Sequence, residues 1–281
     1  MRVGITGSSG FIGSHLLREL GKLPDVSVSI LLRGRKNSFE AKDLKTFVKN
    51  KDLIYHLSGV NRGTDEEILR GNILGTFSLI QAVKAQANPA RIVFASSVQV
   101  YRPSIKPVDE TWAAEPESLY GLSKKTAEDL IRLSGLDYVV LRLSNVYGPG
   151  CRPDYNSVIA TFCDRAVRKQ PLSINGDGRQ GRDFIFIDDV VRALVMAGAQ
   201  AVKAPVLNIS SNRLSTLRQI VSGIKRERPA LEVAYRSQAG GPGGNPYDNA
   251  RFRKLYGWKP KTSLAEGIRH TLRWFKERNR S

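Results

Sequence analysis

In PESLYGLSKKTAED, Tyr120 and Lys124 stand four residues apart, which places both on one face of a helix. A free phenol titrates near about 10. An adjacent ammonium lowers that value, so the pair predicts a general acid/base working near neutrality, with Lys124 also available to a cofactor ribose. Nine tyrosines in a lysine-rich chain make the spacing alone a common accident, so its weight comes from context. ASSVQVY, at 95–101, ends a strand in hydroxyl residues 23 positions before the tyrosine. Ser97 is expected to hold a substrate oxygen beside Tyr120, with Ser96 as the fallback; the alternative for both serines is to cap the next turn.

A second chemical signal lies at the N-terminus. ITGSSGFIGSHLLREL sets Gly7, Gly10 and Gly13 between a short apolar run and an amphipathic stretch. Glycines are required where the turn needs positive φ and where a pyrophosphate must approach bare backbone; the helix N-terminus then supplies N–H groups and partial positive charge. Gly7, Gly10, Phe11, Ile12 and Gly13 are therefore expected to bind a dinucleotide. At the end of the second strand an acid binds the ribose hydroxyls of NAD, whereas arginine accommodates the 2′-phosphate of NADP. The chain reads ILLRGRK there. Arg33 and Arg35 predict NADP, with NAD as the alternative.

The elements that must position these groups follow a βαβ rhythm. RVGIT, VSVSILL, DLIYHLS, RIVFASS and DYVVLRLS alternate with stretches of helical period. Parallel strands joined by right-handed crossovers predict an α/β fold, a doubly wound parallel Rossmann sheet with its ligands at the carboxyl ends of the strands. Residues 1–150 are read as the NADP-binding domain. After Gly148-Pro149-Gly150 the rhythm loosens, and residues 151–281 are read as a smaller C-terminal substrate lobe. A helix from Asp188 to Gln200 and a strand at 206–210 are expected to rejoin the first unit, which makes the two interwoven.

Composition narrows the class. Hydrophobic residues make up 41% and charged residues 25% of the 281, which excludes a disordered or collagenous chain. Two cysteines, Cys151 and Cys163, predict free thiols in a reducing cytoplasm and no metal site. Neither a leader nor a run long enough to span a membrane is read from the sequence. The net charge is +18, and its excess lies late: residues 1–150 hold 20 Lys and Arg against 15 Asp and Glu, residues 151–281 hold 24 against 11. Arg269, Arg273, Lys276, Arg278 and Arg280 fall on the last amphipathic stretch and are read as a solvated helix face. The charge also raises the alternative of a catalytically silent, NADP-sensing or nucleic-acid-binding protein, although no specific nucleic-acid motif is present.

Taken together, TGSSGFIG, DLIYHLSG, GNILGT, YGLSK, LRLSNVYGPG, GDGRQGRDFIFIDD and RKLYGWKPKTSLAEG resemble the extended short-chain dehydrogenase/reductase superfamily, in its nucleotide-sugar epimerase/dehydratase branch, over nearly the whole chain. The resemblance implies that Leu57, Ser58 and Gly59 line the cofactor and that Asn72 anchors a helix. It also implies that Asn145 and Arg182 bind the diphosphate of a nucleotide-diphosphate sugar, with Asn156 as a further contact, and that the protein is a homodimer. Arg182 has a structural alternative, pairing with Asp183, Asp188 or Asp189. A narrower likeness, at HLSGVNR and CRPDYNSVIATFC, is to the reductase domain of a capsule-pathway enzyme of UDP-N-acetyl-L-fucosamine synthesis, whose additional C-terminal cupin domain is not expected here; RDFIFIDD looks more like 4-epimerases. The leading expectation is NADPH-dependent reduction of a nucleotide-linked 4-keto-6-deoxy sugar, the alternative an NAD-dependent nucleotide-sugar 4-epimerase.

Overall fold

The structure is a computed structural model, which describes all residues except 33, 35–38, 40, 105, 154, 156, 201–204, 238–242 and 280–281. The chain begins with β1 (Arg2–Thr6), α1 (Phe11–Leu20), β2 (Ser27–Leu31), α2 (Ala41–Val48) and β3 (Leu53–His56). Then come α3 (Asp65–Leu69), a π-helical turn (Arg70–Leu74), α4 (Gly75–Lys84), β4 (Arg91–Ser97), α5 (Leu119–Leu133) and β5 (Tyr138–Leu143). The later part holds β6 (Asn145–Tyr147), α6 (Val158–Val167), β7 (Leu172–Asn175), β8 (Gly181–Phe186), α7 (Ile187–Ala199) and β9 (Val206–Ile209). It closes with β10 (Leu214–Thr216), α8 (Leu217–Glu227), β11 (Val233–Arg236), α9 (Ala250–Tyr256) and α10 (Leu264–Arg278).

Six strands make one parallel sheet in the order β2-β1-β3-β4-β5-β9. The doubly wound sheet expected from the five apolar runs is present. Every residue of β3 and of β4 is buried, as expected for parallel strands covered on both faces. α1 buries Gly13, Leu16 and Leu20, at helical spacing, in the largest apolar cluster. Smaller sheets, β10-β8-β6 and β11-β7, carry the second half of the chain.

The topology decides where a ligand can sit. β2 lies on one side of β1 and β3 on the other, so the strand order reverses at β1 and leaves a crevice at the carboxyl ends. Register keeps those ends level: Thr6 pairs with Leu31 and with His56, and Ser97 with Leu143. Beneath this edge, Arg142 of β5 donates to Glu128 of α5 through Nε at 3.1 Å and Nη2 at 2.6 Å, with both side chains buried. The Arg142 guanidinium lies 4.6 Å from the Tyr101 ring centroid. Tyr101 in turn donates to Asn208 of β9 at 2.7 Å.

Truncating one partner of such a pair leaves a buried charge uncompensated. Glu128→Ala is expected to lower the unfolding free energy by about 3–5 kcal/mol, seen as a lower denaturant midpoint at unchanged slope.

Candidate active site

The glycine turn is built by close approach. Gly7 has φ +77°, and a Cβ there would lie 2.7 Å from the amide nitrogen of Ser58. A Cβ on Gly13 would lie 2.0 Å from the Gly7 carbonyl oxygen. The turn thus rests on the 57–59 loop that follows β3, where Leu57 N–H donates to the Thr6 carbonyl at 3.2 Å. Gly10 caps α1 with no side-chain hydrogen bond, and the first turn of the helix holds no acid. Ser8, buried within the turn, has a hydroxyl with no partner among the described residues. Bare backbone, an uncapped helix end and an orphaned hydroxyl fit a bound pyrophosphate. Arg33 and Arg35, just past the tip of β2, lie outside the described residues, as does Asn156.

The two serines that end β4 divide. Ser96 donates to Glu128 and so belongs to the buried ion pair beneath the site. Ser97 hydrogen-bonds the Tyr120 phenol. It also accepts from Gln99 N–H at 3.2 Å, so it caps the following turn as well as facing the tyrosine. Gly121 explains how Tyr120 comes so near: a Cβ there would lie 2.3 Å from the Gln99 carbonyl oxygen. Only glycine lets the start of α5 press against the turn after Ser97.

Lys124 is buried one helical turn along, its Nζ 4.2 Å from the Phe94 ring centroid. A Cβ on Gly59 would come within 3.7 Å of that Nζ, which places the ammonium beside the 57–59 loop. The expectation that Lys124 brings the tyrosine toward neutrality is not met. Burial pushes the Tyr120 phenol up to about 12, opposed by the Ser97 hydrogen bond, and the electrostatic influence of Tyr155 pushes it further up. Tyr120 is thus held as a protonated acid in the protein alone.

Asn72 joins the two halves. Its Oδ1 accepts from Val60 N–H at 2.7 Å, and its Nδ2 donates to the Val60 carbonyl at 2.9 Å and to Ser123 Oγ at 2.8 Å. Ser123 donates onward to the Tyr120 carbonyl at 2.7 Å. The asparagine sits in the π-helical turn, a local widening found frequently at functional sites. Sequence reasoning missed the support behind it. Thr76 gives its hydroxyl proton to the Asn72 carbonyl at 2.6 Å. It therefore accepts from Nε2 of buried His56 at 2.9 Å, and His56 Nδ1 accepts from the Thr6 hydroxyl at 2.7 Å. Thr6 immediately precedes Gly7, so this chain of bonds ties the glycine turn to the anchor of α5. His56 stands within DLIYHLSG and Ser123 within YGLSK; what the sequence lacks is any mark that they share a network.

The diphosphate candidates lie on adjacent strands. Asn145 of β6 donates one amide hydrogen to the Asp183 carbonyl of β8 at 2.9 Å, leaving the second available. Arg182 is half-buried on β8, and its charge opposes the rise that burial imposes on the Tyr247 phenol. The three aspartates weighed as its partners are engaged elsewhere: Asp183 with Ser144 and Ser211, Asp188 facing His15 at 3.9 Å, and Asp189 with Arg192 at 2.7 Å. Among the described residues no group of three His, Cys, Asp or Glu is placed to hold a metal ion.

A model of the NAD dependent epimerase/dehydratase family matches residues 3–210. The chain is 30% identical to a UDP-glucose 4-epimerase of Mycolicibacterium smegmatis, over 99% of this chain and 100% of that protein. It is 33% identical to the UDP-2-acetamido-2,6-beta-L-arabino-hexul-4-ose reductase of Pseudomonas aeruginosa, over 69% of this chain and 49% of that protein. Among solved structures it is similar to the UDP-glucose 4-epimerase of Thermotoga maritima with UDP-glucose, at 26% identity and TM-score 0.89, covering 99% of this chain and 100% of that one. It is similar also to RMD from Pseudomonas aeruginosa complexed with NADPH, at 25% identity and TM-score 0.87, covering 99% of each chain.

Asn72→Ala removes three buried hydrogen bonds and should cost about 1–3 kcal/mol of stability. At temperatures where the variant is folded, kcat should fall more than KM rises, because α5 loses its register against the 57–60 segment; an unchanged kcat would remove Asn72 from the positioning role. Phenolate absorbance, compared between wild type and Tyr120→Phe without cofactor, should show the Tyr120 transition near pH 12. The phenol's folded value lies above its unfolded value of about 10, so the stability it contributes is present below that pH and is lost as pH rises toward the folded value.

Proposed function

We propose that this chain, which belongs to the NAD-dependent epimerase/dehydratase family, is an NADPH-dependent reductase of a nucleotide-linked 4-keto-6-deoxy sugar. Family membership makes it an NAD(P)-dependent enzyme that modifies nucleotide sugars. The observation that carries the finer reading is the tip of β2. That strand pairs with β1 beside the glycine turn, and no Asp or Glu occurs from Leu31 to Phe39 to hold the ribose hydroxyls of NAD, while Arg33, Arg35 and Lys36 do occur. Arginine there suits a 2′-phosphate. The likeness at HLSGVNR and CRPDYNSVIATFC to a 4-keto-sugar reductase points the same way.

When bound, the reduced nicotinamide supplies the hydride. The protein supplies the proton: Tyr120, protonated at neutral pH, donates from its Oη to the carbonyl oxygen as that oxygen gains charge, and solvent restores the phenol. Ser97, bonded to the same phenol, orients the carbonyl. Lys124, with its ammonium beside the 57–59 loop, holds the nicotinamide ribose. Asn145, Arg182 and Asn156 hold the diphosphate by amide and guanidinium contacts.

A second reading, NAD-dependent 4-epimerisation, is favoured by relatives matched over the full chain that are named as 4-epimerases. It uses the same tyrosine in both directions. The protein is further proposed to be a homodimer, because Leu69, Leu74, Phe77 and Leu122 leave apolar surface exposed across α3, the π-helical turn, α4 and α5, which neighbour one another.

Incubation with a nucleotide-linked 4-keto-6-deoxy sugar should consume NADPH one for one, and Tyr120→Phe should abolish turnover while retaining NADPH affinity. Tightly held NAD with no net consumption would select epimerisation instead. Arg33→Ala should shift the ratio of kcat/KM for NADPH over NADH toward NADH by about tenfold or more, the loss of one charged contact to a phosphate.

A further inference from the structure

The active site does not account for the basic excess of the second half of the chain. Part of it lies on α10 as expected, where Arg269 is exposed and pairs with Glu227 at 3.5 Å, and Arg278 lies over the Trp274 ring. Another part converges on one place. A cavity of about 700 Å3 opens between β10, α8 and the 259–263 loop that leads into α10. Arg213, Arg226, Arg253, Lys259 and Lys261 line it, and its lining includes no Asp or Glu. These five cations come from four separate stretches of chain, and none has an ion-pair partner among the described residues. Arg253 and Lys259 also border an adjoining depression with Lys254, again without an acid.

Unpaired cations gathered in a concavity repel one another, so the arrangement is complementary to an anion rather than to the protein itself. The remaining wall is of matching chemistry. Ser215, Ser222 and Thr262 offer hydroxyls, which donate to phosphate oxygens as readily as to each other. Asn249 lies on the wall with 1% exposure; its Nδ2 donates to the Ser210 carbonyl at 2.8 Å and its Oδ1 accepts no hydrogen bond among the described residues. None of the lining residues belongs to the glycine turn, to Ser97, Tyr120 and Lys124, or to Asn145 and Arg182.

We propose that this cavity is a second anion site, for a compact ligand carrying two or more phosphates of the nucleoside-diphosphate class, separate from the cofactor and substrate cleft. Its volume is that of a small-molecule site, and its concave walls favour a compact ligand over a duplex or a membrane surface. The proposal stands on the cavity alone and is independent of which reaction the active site performs.

Calorimetric titration of inorganic pyrophosphate into the NADP-saturated protein at low salt tests it, with Arg226→Ala/Lys261→Ala compared against Arg182→Ala. Binding that persists in Arg182→Ala and weakens at least tenfold in the double variant is the expected result, along with loss of that binding as salt is raised. Equal affinity in the double variant and wild type, or complete loss in Arg182→Ala, would overturn the second site. The melting temperature of the double variant without ligand should equal or exceed that of wild type, since no ion pair is lost. If that variant does not fold, Lys259→Ala serves in its place. A short DNA duplex or anionic vesicles bound through the same residues, and not displaced by pyrophosphate, would overturn the compact ligand in favour of a polyanionic surface.

Discussion

The amide of Asn72 bridges two elements that the chemistry needs in one register. On one side it grips both backbone groups of Val60, just beyond the 57–59 loop; on the other it grips Ser123, between Tyr120 and Lys124. A carboxamide can do this because it offers an acceptor and two donors in one plane. Buried as it is, each of those bonds avoids the desolvation cost of an orphaned polar group, so alternative placements of α5 are disfavoured. The glycine turn feels the same constraint through Thr6, His56 and Thr76. In the reaction proposed above, hydride goes to the carbonyl carbon and the proton to its oxygen, and this network ties together the two elements proposed to deliver them.

Beneath that joint lies a second polar layer with a different task. Ser96, Glu128, Arg142, Tyr101 and Asn208 form a buried run from β4 through α5 and β5 to β9. Asn208 also donates to the backbone carbonyls of Val108 and Asp248 at 3.1 Å each, which reaches into the later part of the chain. Such buried charges add little net stability when paired, and they penalise mispacking heavily when not. The run thereby fixes how the second half of the chain sits over the sheet. The alternation of a strand separates the two tasks, with Ser96 in the structural layer and Ser97 at the tyrosine.

The state of Tyr120 shows where local pattern stops being informative. The i, i+4 spacing puts Lys124 on the right face, but in the folded protein the ammonium sits over Phe94 and beside Gly59, and burial dominates the phenol. A high value serves a proton donor, since it keeps the proton in place at neutral pH until the substrate oxygen gains charge.

What the sequence by itself determined is local in origin. Gly7, Gly10 and Gly13 were legible because backbone sterics need glycine wherever a helix end meets a strand end this closely. The apolar runs were legible because parallel strands covered on both faces must be continuously hydrophobic, and Tyr120 with Lys124 because a helix repeats every 3.6 residues. Only the tertiary structure decided the rest, because its contacts join residues far apart in the chain. Thr6 meets His56 across 50 positions and Asn72 meets Ser123 across 51, and no periodicity connects them. The same is true of Arg213, Arg226, Arg253 and the neighbouring pair Lys259 and Lys261. Along the chain they are scattered surface charges; in three dimensions they face one cavity, because the fold brings β10, α8 and the approach to α10 together.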